Sequence, residues 1–144
     1  MTAKAVMFLA LAVAIASWSC SGNHAGQYSE FVTVPAQGWA YGDTVTFNPD
    51  SCVTASMDIA LRHNDTFPYS SLWVEVSDSL RRDTLKIDLC DAYGRWLGNG
   101  LGSSHQVHAR LPFAPEPART LNIRHIMRVD TVKGIEQIGI LPAY

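Results

Sequence analysis

The sequence predicts an all-β chain folded as an antiparallel two-sheet sandwich, jelly-roll or Greek-key-like, with about eight strands. Three observations predict it. Short runs rich in β-branched and aromatic residues recur through residues 28–144, separated by Pro, Gly, Asp and Asn. No stretch of that region keeps apolar residues at helical spacing for three turns behind an N-cap residue. Several runs alternate apolar and polar side chains, the period of a strand with one face in a core.

In chain order, Tyr28–Val34 opens the series and stops at Pro35, and Asp43–Asn48 stops at Pro49. Val53–His63 is the longest run, with Val53, Ala55, Met57, Ile59 and Leu61 filling alternate positions. Leu72–Ser77 follows, then Thr84–Cys90, which points Leu85, Ile87 and Leu89 to one face. Gln106–Leu111 comes after the glycine-rich Gly94–Ser104, and Thr120–Arg128 after the proline-rich Pro112–Pro117. Pro112, Pro115 and Pro117 cannot sit within a central ladder. Ile135–Leu141 closes the series. Such uneven connections suit the crossings of a sandwich better than the uniform hairpins of an up-and-down barrel.

The domain has a leader. Lys4 precedes the apolar run Ala5–Ala16, which ends in Ser17-Trp18-Ser19-Cys20. A span of about 20 apolar residues would be needed to cross a bilayer, so residues 1–19 read as a lipoprotein signal peptide. Cleavage before Cys20 leaves an N-terminal cysteine that carries a covalent lipid with palmitate-type acyl chains. Residues 20–27 form the lipidated tether, small and polar, and 28–144 the sandwich domain. A triacylated cysteine holds a protein at the lipid bilayer through its methylene groups, about 0.8 kcal/mol each.

Without residues 1–19 the 144-residue chain keeps 125 residues, one domain's worth, and loses Lys4. Ten Lys and Arg then face thirteen Asp and Glu, a net charge of about −3 with no block of either sign. With no basic stripe there is no counterion release to drive phosphate binding, so no nucleic-acid partner is expected.

An exported chain meets an oxidising compartment, where Cys52 and Cys90 could form a disulfide. Strand alternation places both on outward faces, and either a bond or two free thiols fits that pattern. His105 and His108 lie three apart on a strand, so they point to opposite sides and are not expected to share a metal. His125, in Asn122-Ile-Arg-His-Ile-Met-Arg128, is expected on a solvated or groove-facing sheet surface. No serine elbow, catalytic-cysteine signature, phosphate loop or calcium loop appears, so no enzyme activity and no cofactor beyond the lipid on Cys20 are expected. Asp50, Asp65, Asp78 and Asp91 read as turn formers. Trp96, set among four glycines in Gly94–Gly102, reads first as a plug at a sandwich end and second as a binding-loop residue. Tyr41, Phe67, Tyr69, Trp73 and Tyr93 are assigned to packing by default.

One ordered set of residues points to a family. Trp39-x-x-x-Asp43, Arg62-His-Asn64, Phe67-Pro-Tyr69 with Leu72, and Asp83-Thr-Leu85 lead to the block Gly94-Arg-Trp-Leu-Gly-Asn-Gly100. Met127-Arg128 and Gly134-Ile-Glu-Gln-Ile-Gly-Ile140 close the set. In these, and in its signal, the chain resembles the gliding-motility-associated lipoprotein GldH family of the Bacteroidota. Ser71 stands where that pattern has Asn. The resemblance implies a lipoprotein of the cell envelope, associated with gliding motility and the type IX secretion machinery, and no known reaction; the chain is accordingly expected to be a non-enzymatic component, lipid-anchored at the outer membrane. Its partners would be envelope proteins of that apparatus, and it brings no catalytic residues.

The expected partner-binding residues are Arg62, Tyr69, Arg95, Trp96 and Asn99, chosen because they cluster in two segments offering aromatic and arginine anchors. The alternative function is a lipid-anchored carbohydrate-binding β-sandwich module.

Overall fold

The computed structural model describes residues 28–49 and 56–143. Its strands are β1 (Glu30–Thr33), β2 (Trp39–Ala40), β3 (Val45–Phe47), β4 (Met57–Asn64), β5 (Ser71–Ser77) and β6 (Arg82–Asp88). They continue with β7 (Asn99–Leu101), β8 (Ser104–Arg110), β9 (Leu121–His125), β10 (Thr131–Val132) and β11 (Ile135–Pro142). One sheet runs β1-β11-β4-β8-β7, the facing sheet β3-β9-β5-β6, and β2 pairs with β10 as a small ribbon. Every pairing is antiparallel.

Each of the eight expected runs holds a strand, and their pairing is that of a jelly roll. The outermost strands in sequence pair (β1 with β11), and inside the small β2–β10 ribbon the nesting continues with β3 and β9, then β4 with β8 and β5 with β6. A long antiparallel ribbon with that nesting, folded over on itself, deals its pairs alternately to two sheets. The first part of the Val53–His63 run lies outside the described residues, and the strand is seen from Met57 onward.

β2, β7 and β10 were not expected. β7 falls in the glycine-rich segment, whose glycines serve pairing rather than a loop. A Cβ on Gly98 would lie 2.0 Å from the Gln106 carbonyl oxygen, so glycine alone lets this stretch approach β8.

Alternation builds the core. Met57, Ile59 and Leu61 of β4 face Leu72, Val74 and Val76 of β5, joined by Ile87, Leu121, Ile123, Ile138 and Ile140, all buried. β4 is central, and its outward Asp58 and Ala60 are buried as well.

The register defines two ends. Glu30 pairs with Ile140, Met57 with Pro142 and Asp58 with Arg110, so the described chain begins at what we term the proximal end. Asn64 pairs with Ser104, and His63 with both Ile135 and His105, at the distal end. There the turn into β5 is locked by Gly134. At φ +88° it presses on Phe67, and a Cβ would meet the Phe67 amide nitrogen at 2.4 Å.

Candidate functional site

The expected contact residues gather at the distal end. Arg62 pairs with Gln106 across β4 and β8, and Gln106 with Asn99 across β8 and β7. Gln137 and Thr33 extend the same row over β11 and β1, so five adjacent strands each present one polar side chain outward. Arg62 Nη2 donates to Gln106 Oε1 at 3.2 Å, and Gln106 Nε2 lies 2.9 Å from His108 Nε2. A groove of about 880 Å³ runs over this part of the sheet, lined among others by Arg62, Leu97, Asn99, Gln106, His108 and Glu136.

Arg95 and Trp96 sit on a turn built by Asp91. Its carboxylate accepts the amide N–H groups of Arg95 and Tyr93 and the Arg95 Nε–H at 2.8 Å. The Arg95 amide leads the bonds that hold this carboxyl below its ordinary range. Arg95 is exposed, and its guanidinium lies 5.5 Å from the Tyr93 ring centre. The same turn sends Trp96 inward. It bridges to Cys90, the Leu97 amide donates to the Leu89 carbonyl, and the half-buried indole packs on the core. This is the plug geometry.

Under the plug lies a cluster of rings. His63, fully buried on the inner face of β4, meets Trp96 edge-on at 4.7 Å, stacks on His105 at 5.6 Å and contacts Phe67 at 5.9 Å. Burial lowers its pKa below 6.5, and its Nε2 has no hydrogen-bond partner. His105 turns to this cluster and to Asp65, 3.4 Å away, whereas His108 faces outward beside Gln106. The two thus take opposite sides, as strand spacing requires.

His125 corrects an expectation. It is fully buried rather than solvated, because Leu121, Ile123 and His125 share the inward parity of β9. Trp39 and Tyr41 pack edge-on against its ring at 5.5 and 5.6 Å. Burial lowers its pKa, and neither ring nitrogen completes a hydrogen bond, although the backbone of Trp39 and Ala40 faces the ring.

Tyr69 lies apart from the Arg62 row, in the bend that leads into β5 of the facing sheet. It packs edge-on against Phe67 at 5.6 Å and lines a second groove of about 490 Å³ with Trp73, Ile126, Met127, Arg128 and Val129. Trp73 is 42% exposed, between the buried Leu72 and Val74. That parity was readable in the sequence, and the default assignment to packing missed it.

Compared with known proteins, residues 26–141 match the GldH lipoprotein family. The chain belongs to that family. It is therefore a gliding-motility-related lipoprotein, with the lipid-anchored place in the cell envelope that this description carries. No curated protein matches. Among solved structures, an exo-beta-1,3-galactanase from Phanerochaete chrysosporium, determined with galactose, is similar at 14% identity and a TM-score of 0.45. The similarity covers 79% of this chain and 26% of the galactanase chain, about a quarter of that enzyme's length.

Of the GldH-family chain's remaining candidates, Cys20 and Cys52 lie outside the described residues, and with them the lipidation site and the disulfide. Cys90 is half-buried just past β6. Asp78 and Asp91 act as turn formers, each bonding amides two or more residues ahead. Asp65 instead faces His105, and Asp50 is outside the described residues. Among the described residues no three His, Cys, Asp or Glu side chains gather as a metal site.

Proposed function

We propose that this GldH-family chain is a non-enzymatic component or accessory of a gliding-motility or type IX secretion complex, held at the outer membrane by the lipid on Cys20. It works by protein contact through its distal end. The observation that supports this reading is polarity along the sandwich. Arg62, Tyr69, Arg95, Trp96 and Asn99 lie toward one end, and the described chain begins at the other. Seven residues lie between Cys20 and Tyr28, eight steps along the chain. At about 3.5 Å each they reach roughly 28 Å, comparable to the ~23 Å length of a seven-residue strand. A lipid on Cys20 therefore holds the end where the described chain begins within that distance of the bilayer and leaves the distal end free to meet other proteins.

The groove over the five-stranded sheet has no Trp, Tyr or Phe among its lining residues. A stacking platform for a sugar ring is thus missing there, and Arg62, Asn99 and Gln106 offer instead the adaptable polar rim of a protein interface.

The test is a crosslinking pull-down of the intact lipoprotein from its native envelope, beside a Cys20→Ala form that lacks the anchor. Recovery of motility or secretion components with the anchored form alone is the expected result. Retention on envelope polysaccharide with no protein recovered would overturn the reading in favour of a carbohydrate-binding module.

A further inference from the structure

We propose that the groove between Tyr69, Trp73, Met127 and Val129 docks an extended, acidic and apolar peptide segment of the envelope partner, its carboxylate taken by Arg128. This rests on the protein-contact reading above and adds to it a site and a partner chemistry.

The groove exists because two strands part. The β5–β9 ladder ends at Val74 and His125, and one further bond, Ile126 N–H to the Trp73 carbonyl at 2.9 Å, precedes the separation. Residues 126–129 then diverge from β5. In an antiparallel strand the N–H and C=O of one residue point to the same side, so the Trp73 N–H also faces the gap. What it meets is Met127 Sδ at 3.4 Å, a thioether and hence a weak acceptor. A backbone donor is thereby left able to exchange sulfur for a carbonyl or carboxylate oxygen.

The side chains around that donor have the make-up of a binding hot spot. Trp73 is 42% and Tyr69 37% exposed, and Tyr69 is braced from behind by the buried Phe67. Met127 and Val129 supply an adaptable apolar floor. Charge selects the occupant. Arg81, Arg82, Lys86, Arg95, Arg110, Arg119 and Arg124 all have carboxylate partners. Among the described residues Arg62, Arg128 and Lys133 have no ion pair, and Arg128 lines this groove. An exposed, unpaired arginine in one groove with two aromatic side chains and a weakly bonded amide donor matches a carboxylate flanked by apolar side chains.

The test uses the full-length lipoprotein in detergent micelles and three blocked peptides that alternate Leu with Asp, Asn or Lys. The Asp peptide should bind tightest. Arg128→Glu should weaken it about tenfold or more while leaving the melting temperature in place, because Arg128 is exposed and unpaired. Arg128→Lys should retain most of the binding, and Trp73→Ala should lose it. Equal binding of the Asp and Lys peptides, or no effect of Arg128→Glu, would overturn the proposal. In the native-envelope pull-down, unchanged partner recovery by Arg128→Glu and Trp73→Ala would sink this groove as the docking site and leave the protein-contact reading standing. Failure of the wild-type lipoprotein to recover any partner would remove that reading itself.

Discussion

His63 and Trp96 meet edge-on with ring centres 4.7 Å apart, and through this contact a glycine-rich turn on the surface is tied to the interior of the sandwich. Trp96 covers an imidazole with no exposed surface, itself backed by Phe67 and His105. Truncation to alanine would open a cavity over His63 and admit water to its unpaired Nε2. Trp96→Ala should therefore lower stability by about 3 kcal/mol, the low end for a large aromatic because the indole is half-buried. Urea unfolding of the two proteins measures it. Unchanged stability with lost partner recovery would instead make Trp96 a surface anchor.

The two buried histidines make stability depend on pH. Burial lowers the pKa of both His63 and His125 below 6.5 in the folded chain, while the unfolded chain titrates near 6.5. Above that value both states are neutral and no penalty exists. As pH falls through 6.5 the unfolded state takes up protons that the folded state resists, so stability declines. Glu75, Asp78 and Asp91 have lowered pKa values, and their contribution is lost further down, below the ordinary carboxylate range. Between those ranges the decline belongs to the histidines. Urea midpoints measured from pH 8 to pH 5 should fall, and a His63→Leu, His125→Leu double variant should flatten the curve. A slope that survives in the double variant would show that other groups carry it.

Gly98 governs whether β7 stays in the sheet. Its φ of +78° and the 2.0 Å approach of a built Cβ to the Gln106 carbonyl oxygen both exclude a side chain. Gly94, with φ +79°, has open space around its built Cβ. Gly94→Ala should thus cost about 1 kcal/mol for backbone strain alone, and Gly98→Ala more, about 2 to 3 kcal/mol. Amide exchange at Asn99–Leu101 should quicken in Gly98→Ala and stay near wild type in Gly94→Ala. Equal protection in both would show that β7 tolerates the added carbon.

How far the sequence reveals this architecture depends on which interactions set each element. Alternation at Met57, Ile59 and Leu61, or at Leu85, Ile87 and Leu89, is a local signal, and the strands it marks are present with those residues facing inward. β7 was opaque because Gly98 and Gly100, which read as loop, are there to let backbone approach backbone. β2 and β10 are two-residue strands held by each other, too short for any period to appear. His125 and Trp73 show residue type misleading where parity did not. His125 lies two residues past Ile123 on the inner face, and Trp73 lies between the inward Leu72 and Val74 on the outer one. The Arg62–Gln106–Asn99 row needed strand register, which spacing along one chain cannot supply.

That row yields a variant that separates function from folding. Arg62 is exposed, has no ion pair among the described residues, and donates one 3.2 Å hydrogen bond to the Gln106 side chain. Reversing its charge removes little that the fold relies on, so Arg62→Glu should change stability by no more than about 0.5 kcal/mol. An anchor in a partner interface behaves otherwise, because a reversed charge faces a partner surface arranged for the opposite sign. Recovery of envelope partners by the anchored lipoprotein should then drop severalfold for Arg62→Glu. The Arg82→Glu control should not reproduce that drop, since Arg82 is 71% exposed on β6, at the edge of the facing sheet, and lines neither of the two grooves. Equal recovery from wild type and Arg62→Glu would place the working surface away from the five-stranded sheet and leave the Tyr69–Trp73 groove as the face to pursue.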